Sequence, residues 1–457
     1  MIQRVISVSL ALALLVVGAA KGEQLAPDDL SVRSVFALVE QSPSQFARQW
    51  NERYDRARGA EGANISATRA ARARGFIDYA YFHWRETGEQ VPANWRPLRR
   101  AVSAVDINDA SLLELPEQTQ FLESWLRHQA RHALADNPAL QRGDNVWLRA
   151  RFHVVESQVR NHEVQRFLLR SAIATHIDEN TAVGVPELID RYAMLTGAPD
   201  SETAPLRQAA AEDLALRDGH RIEVYKTAND VGLELHLLSP SQPQLGARPA
   251  LIWFHGGSWA TGSWAHCPMI CRLAREQGYV AVQVDYRTSD RFNTTPLEAV
   301  ADGRDALAFV RAHAMQLGID PERIVVAGFS AGGSIAAILA TSSPPHAARG
   351  ALLVSACTTP MHDSWFRRSV GDSIRDPDLI PSANLDSEDA AILALQGTSD
   401  EMCPYEDVEA FVHAAQSARL DANLVTLDGA SHFFVFDNPP ARARASEQAA
   451  AFLARWR

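Results

Sequence analysis

The chain has 457 residues, 46% of them hydrophobic and 22% charged, which is enough for two or three packed domains and unlike a disordered or fibrous composition. A formal net charge of −11 at pH 7 argues against nucleic acid or an anionic membrane surface as the main partner.

Arg4, the uncharged run from Val5 to Val17 and the small residues Gly18-Ala19-Ala20 read as a secretory signal peptide cleaved near Ala20. The alternative is an uncleaved anchor, but the run is shorter than the roughly 20 residues a span needs. No later stretch is apolar enough to cross a bilayer. The mature chain is therefore expected to be periplasmic or secreted, with no stable membrane span.

Residues 21–220 read as an all-α N-terminal domain. Ser42-Pro43-Ser44-Gln45 resembles a helix start, and Phe46, Trp50 and Tyr54 follow on one helix face. Phe121, Trp125, Leu126, Ala133 and Leu134 repeat the pattern after Pro116. Further helices are expected over about 146–177 and 186–195. These stripes read as core. His128 and His132 have metal-ligand spacing on a helix, but no glutamate lies between them and Arg131 does, so a solvated face is the expectation.

Near residue 221 the period changes from helical to alternating, at Ile222-Glu223-Val224-Tyr225 and Leu233-Glu234-Leu235-His236-Leu237. Six short apolar runs follow, at 251–254, 279–284, 324–327, 351–354, 392–395 and 424–427. Their length and lack of alternation suit strands covered on both faces. Helical stretches separate them, the clearest at 296–317. The fold class is therefore α/β, a doubly wound and mostly parallel eight-stranded sheet over residues 221–457.

Three features in this half carry chemistry. Gly328-Phe329-Ser330-Ala331-Gly332-Gly333 lies between an apolar strand and a helix, the setting of a nucleophile elbow that exposes Ser330. His255-Gly256-Gly257-Ser258-Trp259 comes after another strand. Its Gly256 and Gly257, with Ala331, are candidate backbone donors for an oxyanion hole. His255 reads as a loop brace. Asp400 comes after the strand at 392–395 and His432 after the strand at 424–427, so Ser330, Asp400 and His432 stand in the chain order of this hydrolase architecture. Glu401, Glu406 and Asp407 are rival acids, and His346, His362 and His413 are rival bases. Such a site needs no metal and no organic cofactor.

Four cysteines remain: Cys267, Cys271, Cys357 and Cys403. Export permits disulfides, three pairings are open, and buried free thiols are the alternative. Cys357 and Cys403 each lie just past a core strand. The stretch Thr358 to Asp389 lies between two strands and is either an insertion over the active-site end or a plain connection.

With Asp285-Tyr286-Arg287 and Gly318-Ile319-Asp320-Pro321-Glu322-Arg323-Ile324, these motifs resemble the α/β-hydrolase superfamily. They look like carboxylesterases of the hormone-sensitive-lipase kind and HGG-x-W carbohydrate esterases such as acetyl-xylan and feruloyl esterases. Ser258 stands where the lipase branch has a third glycine, and Gly397-Thr398-Ser399-Asp400 differs from that branch's acid motif. Both departures favour the HGG-x-W side. The resemblance covers about half the chain and implies hydrolysis of small-molecule or carbohydrate esters, with no nucleic acid partner. Prolyl-oligopeptidase-type peptidases share the fold but carry a β-rich propeller, and arylformamidases share the HGG-x-W motif. A peptidase, an amidase or a non-catalytic binding protein on the same fold is the alternative. Residues 21–220 resemble no family and suit a docking, dimerisation or lid-like role.

Overall fold

The computed structural model describes residues 106–457 except 115, 241–245, 268, 343–346, 361–363, 372–378 and 384. The expected signal peptide, the helix expected around Phe46, Trp50 and Tyr54, and the histidines His346 and His362 lie outside the described residues. The chain divides into two compact units.

The first unit comprises the described residues through Leu140, with Trp147–Asp178 and Gly184–Gln208. It is helical. In α1 (Pro116–Asp136), Leu122, Trp125, Leu126, Ala130 and Leu134 recur at three- and four-residue steps and are buried, as an amphipathic helix requires. The single helix expected over 146–177 is two, α2 (Val146–Gln158) and α3 (His162–Glu179). The break has a polar cause. The Asn161 side chain accepts the N–H groups of Glu163 and Val164 at 2.9 and 3.2 Å, capping α3, while Asn108 accepts those of Arg160 and Asn161 at 2.6 and 3.2 Å. Next come α4 (Val185–Thr196), begun by Pro186 and closed by the left-handed Gly197, and α5 (Asp200–Leu214), which the apolar pattern did not signal. Among the described residues no strand precedes Arg221.

The second unit holds Ala209–Arg457 and two short upstream segments, Gln141–Val146 and Glu179–Val183. Its centre is an eight-stranded sheet: β1 (Arg221–Ala228), β2 (Val231–Leu238), β3 (Arg248–Phe254), β4 (Val280–Val284), β5 (Ile319–Phe329), β6 (Gly350–Val354), β7 (Ala391–Gly397) and β8 (Ala422–Leu427). The spatial order is β1-β2-β4-β3-β5-β6-β7-β8. The β1–β2 and β2–β4 pairs are antiparallel and the rest parallel. Asn229 and Asp230 turn the β1–β2 hairpin with φ of 51° and 66°, the doubly left-handed geometry that suits the strand twist.

The apolar runs are explained by cover on both faces. Ile252, Phe254, Val326, Leu353 and Ile392 join one buried cluster, and Leu251, Trp253, Val325, Leu352 and Leu393 the other. The first face is covered by α7 (Pro296–Ala312) and α8 (Ala331–Ser342), and the second by α6 (Ile270–Glu276) and α11 (Pro439–Leu453). Two further helices, α9 (Ser364–Val370) and α10 (Tyr405–Ser417), lie in the remaining crossovers. Thr295 and Glu298 form a reciprocal capping box at the start of α7. Among the described residues no helix is long and apolar enough to cross a membrane.

The upstream segments are tied in by polar contacts. Gly143 donates its N–H to Asn229 at 3.1 Å, and Gly262 donates to Glu179 at 2.7 Å. The buried Arg291 guanidinium donates to both Asp144 oxygens, at 2.9 and 2.6 Å, and to Asp285 Oδ1 at 2.6 Å. Burial raises the Asp285 carboxyl above its ordinary range, opposed by Arg291. This places Asp285-Tyr286-Arg287 firmly at the end of β4. The Tyr286 hydroxyl then donates to the carbonyl of His255 at 2.7 Å.

Candidate active site

Strand register sets the site. Phe254 pairs with Gly328, Phe329 with Val354, Val354 with Leu395, and Gly397 with Leu427. The strands therefore end together, and the loops beyond them gather at the C-terminal edge, where open α/β sheets bind ligands. There lie His255-Gly256-Gly257, Ser330-Ala331, Ser355 to Cys357, Asp400 and His432.

Ser330 has φ of 54°, a left-handed conformation that costs a non-glycine residue about 1–2 kcal/mol. Its N–H donates to the Val354 carbonyl at 3.0 Å, and its carbonyl accepts the Ser334 N–H at 3.1 Å as α8 begins. A Cβ on Gly328 would overlap the carbonyl of Gly332, and one on Gly332 would overlap the carbonyls of Phe254 and His255. The two glycines thus let the turn close and let α8 start against the end of β3.

That contact sets the His255-Gly256-Gly257 loop beside the elbow. Gly257 has φ of 119°, which admits only glycine without strain, and a Cβ on Gly256 would come within 2.6 Å of the Phe329 ring. His255 is fully buried, stacked on Tyr286 with ring centres 4.1 Å apart. Burial pushes its imidazole down to about 3, so it is neutral at ordinary pH and braces the loop. Trp259 is buried against Phe366 of α9, ring centres 4.9 Å apart. Phe366, Val370 and Leu379 are core residues, so the described residues around them in the 358–389 stretch pack into the domain.

His432 Nδ1 and Asp400 Oδ2 are 2.8 Å apart, both residues buried. Oδ2 also accepts from Gln396 Nε2 at 2.8 Å, while Oδ1 accepts the N–H groups of Met402 and Cys403 at 3.0 and 2.8 Å. Four donors converge on one carboxylate. With Nδ1–H turned to Asp400, the lone pair of His432 lies on Nε2. The ring of Phe329, next to Ser330 in sequence, is 5.1 Å from that of His432. The rival acids Glu401 and Glu406 are exposed, as is the rival base His413 on α10.

Other contacts at this edge have no sequence motif. Ser355, at φ of 43°, donates its hydroxyl to the His432 carbonyl at 2.9 Å, and Gln396 serves Asp400. Cys357 is bonded to Cys403, and Cys267 to Cys271. Among the described residues no group of three His, Cys, Asp or Glu side chains is placed to hold a metal ion.

Residues 235–364 match the BD-FAE family model. The chain is similar to the probable carboxylic ester hydrolase LipM of Mycobacterium tuberculosis, 33% identical over 173 residues, covering 32% of this chain and 39% of that protein. It is similar also to an ethyl acetate hydrolase of Pseudomonas putida, 33% identical over 158 residues, covering 34% and 45% respectively. The chain spans about two fifths of the length of the curated relatives it matches. Among solved structures, a propionate-bound thermophilic esterase from Thermogutta terrifontis is 29% identical, with a TM-score of 0.48, covering 52% of this chain and 95% of that one. The strand order and the elbow at Ser330 together give the sheet-bearing unit the fold of an α/β-hydrolase.

Proposed function

We propose that the protein is a serine carboxylesterase, exported to the periplasm or beyond, that hydrolyses small or sugar-linked carboxylic esters through an acyl-enzyme on Ser330. The observation that carries this reading is the buried Asp400–His432 pair, gathered with a left-handed Ser330 at the C-terminal edge of the sheet. On the same reading residues 1–20 are removed on export and residues 21–220 form a helical domain ahead of the catalytic one. The ethyl acetate hydrolase among the relatives favours a short acyl group.

In this mechanism His432 Nε2 takes the Ser330 proton as Oγ attacks the ester carbonyl. Asp400 holds the imidazole tautomer and stabilises the imidazolium. The N–H groups of Ala331 and of Gly256 or Gly257 receive the oxyanion, each donor contributing about 3 kcal/mol to the transition state. The proton passes to the leaving alcohol. Water, deprotonated by His432, then releases the acid and restores Ser330.

The test uses p-nitrophenyl acetate, butyrate and octanoate, with a fluorophosphonate label and Ser330→Ala. Turnover that falls with chain length, with label and activity both lost in the variant, supports a short-acyl serine esterase. Folded protein that neither turns over nor takes the label refutes it. Acetylated xylan and feruloylated sugars then separate sugar-linked from simple esters.

A further inference from the structure

The segment that leaves β6 touches Ser330 and His432 and is bonded to the loop that bears Asp400. The Val354 carbonyl accepts the Ser330 N–H at 3.0 Å. The Ser355 hydroxyl donates to the His432 carbonyl at 2.9 Å. The Cys357 carbonyl accepts the hydroxyl of Ser334, one turn into the helix that Ser330 opens. The fourth link is covalent: Cys357 is bonded to Cys403, three residues beyond Asp400.

Cys403 is buried, and its two backbone groups both serve the acid. Its N–H donates to Asp400 Oδ1 at 2.8 Å. Its carbonyl accepts from Gln396 Nε2 at 2.7 Å, and the second hydrogen of that amide goes to Asp400 Oδ2 at 2.8 Å. Two acceptors, a carbonyl and a carboxylate, require the NH2 end of Gln396 to face them. Gln396 itself sits on β7 and pairs with Thr426 of β8. The loop bearing Asp400 is therefore held from below by a strand residue and from the side by a disulfide to the segment that already fixes Ser330 and His432.

We propose that the Cys357–Cys403 disulfide and Gln396 are positioning elements of the catalytic acid, keeping the Asp400 carboxylate in register with His432, so that reduction of this one bridge slows the chemistry itself. The inference rests on the reading of Ser330, Asp400 and His432 as a triad. Cys357 is partly exposed, which gives a reductant access while Cys403 stays inside. A phosphine attacks one sulfur and breaks the S–S bond. Water then supplies the oxygen of the phosphine oxide and the two protons, leaving two thiols. Misplacement of a catalytic group by about 1 Å costs on the order of a hundredfold in rate.

The experiment compares the oxidised chain, the phosphine-treated chain, Cys357→Ala/Cys403→Ala and Gln396→Met. A Cys267→Ser/Cys271→Ser chain, treated in parallel, keeps only the bridge at issue. kcat and KM for p-nitrophenyl butyrate are measured from pH 5 to 9, per fluorophosphonate-labelled site. Reduction, the alanine pair and Gln396→Met are each expected to lower kcat by about 10- to 100-fold with KM within about threefold. Reoxidation restores the rate. A plain structural staple would lower the unfolding temperature but leave kcat and KM per labelled site unchanged, and that result overturns the proposal. Failure of the triad reading is distinct: the oxidised chain would then neither turn over the ester nor take the label, and both inferences would fall together.

Discussion

Replacing Arg291 by methionine should destabilise the hydrolase unit by about 3–5 kcal/mol at pH 7.5, the range found when one partner of a buried ion cluster is removed. The side chain is 2% exposed and makes three charge-assisted hydrogen bonds, two to Asp144 and one to Asp285. Such bonds contribute about 1.5–3 kcal/mol each, but not all of that is lost. Asp144 has a side chain 13% exposed and can turn to water, whereas Asp285, at 6%, is left charged and buried. The sign with pH comes from the same burial. The Asp285 carboxyl is already raised, and without Arg291 it rises further, so the folded variant retains a proton that the unfolded chain has lost above about pH 4. Its deficit is therefore smallest near pH 4 and grows as pH rises through the raised folded value. Urea unfolding followed by tryptophan fluorescence at pH 5 and 7.5 should show the deficit larger at the higher pH by at least about 1 kcal/mol. Adding Asp285→Asn should remove that difference. A deficit under about 1 kcal/mol at pH 7.5, or one equal at both pH values, would refute the view that Arg291 holds a buried carboxylate.

His255, pushed by burial from 6.5 to about 3, contributes stability that is complete above pH 6.5 and lost as pH falls toward 3. Between pH 6.5 and 5 this amounts to about 2 kcal/mol, and equilibrium unfolding of His255→Gln should lose that part of the slope. Gly332→Ala drives a methyl into the carbonyls of Phe254 and His255, so a stability loss of about 1–3 kcal/mol is expected, with loss of fluorophosphonate labelling in the protein that still folds. Near-normal labelling would show that the elbow can open without harm. Asp400→Asn should lower kcat by roughly 10⁴-fold by favouring the wrong tautomer of His432. Glu401→Gln, one residue on and exposed, should leave kcat within about twofold. The reverse pattern in steady-state kinetics would reassign the acid.

The sheet was legible because covered parallel strands leave an unmistakable trace: Leu251 to Phe254 and Ala351 to Val354 are apolar without alternation, and each forms a strand buried on both faces. The elbow was legible because its turn tolerates little but glycine at 328 and 332. The hidden features depend on contacts between residues far apart in sequence. Asn161 interrupts a helical pattern through its own capping bonds and those of Asn108, more than fifty residues earlier. Gln141–Val146 and Glu179–Val183 join the hydrolase unit through backbone and ionic contacts that leave no periodicity. Gln396 and Ser355 lie at or just beyond strand ends, among many polar residues that could occupy such places, and only the positions of Asp400 and His432 give them meaning.

The link from Asp144 to Arg291 also bears on how the chain matures. The partners are 147 residues apart. At synthesis rates of roughly 5–20 residues per second, Asp144 emerges about 7–30 s before its cation exists. Through that interval the 141–146 segment carries a carboxylate whose buried place is unfinished. The arrival of Arg291, seven residues past the end of β4, rather than completion of the upstream helices, thus sets the earliest moment at which this part of the hydrolase unit can lock.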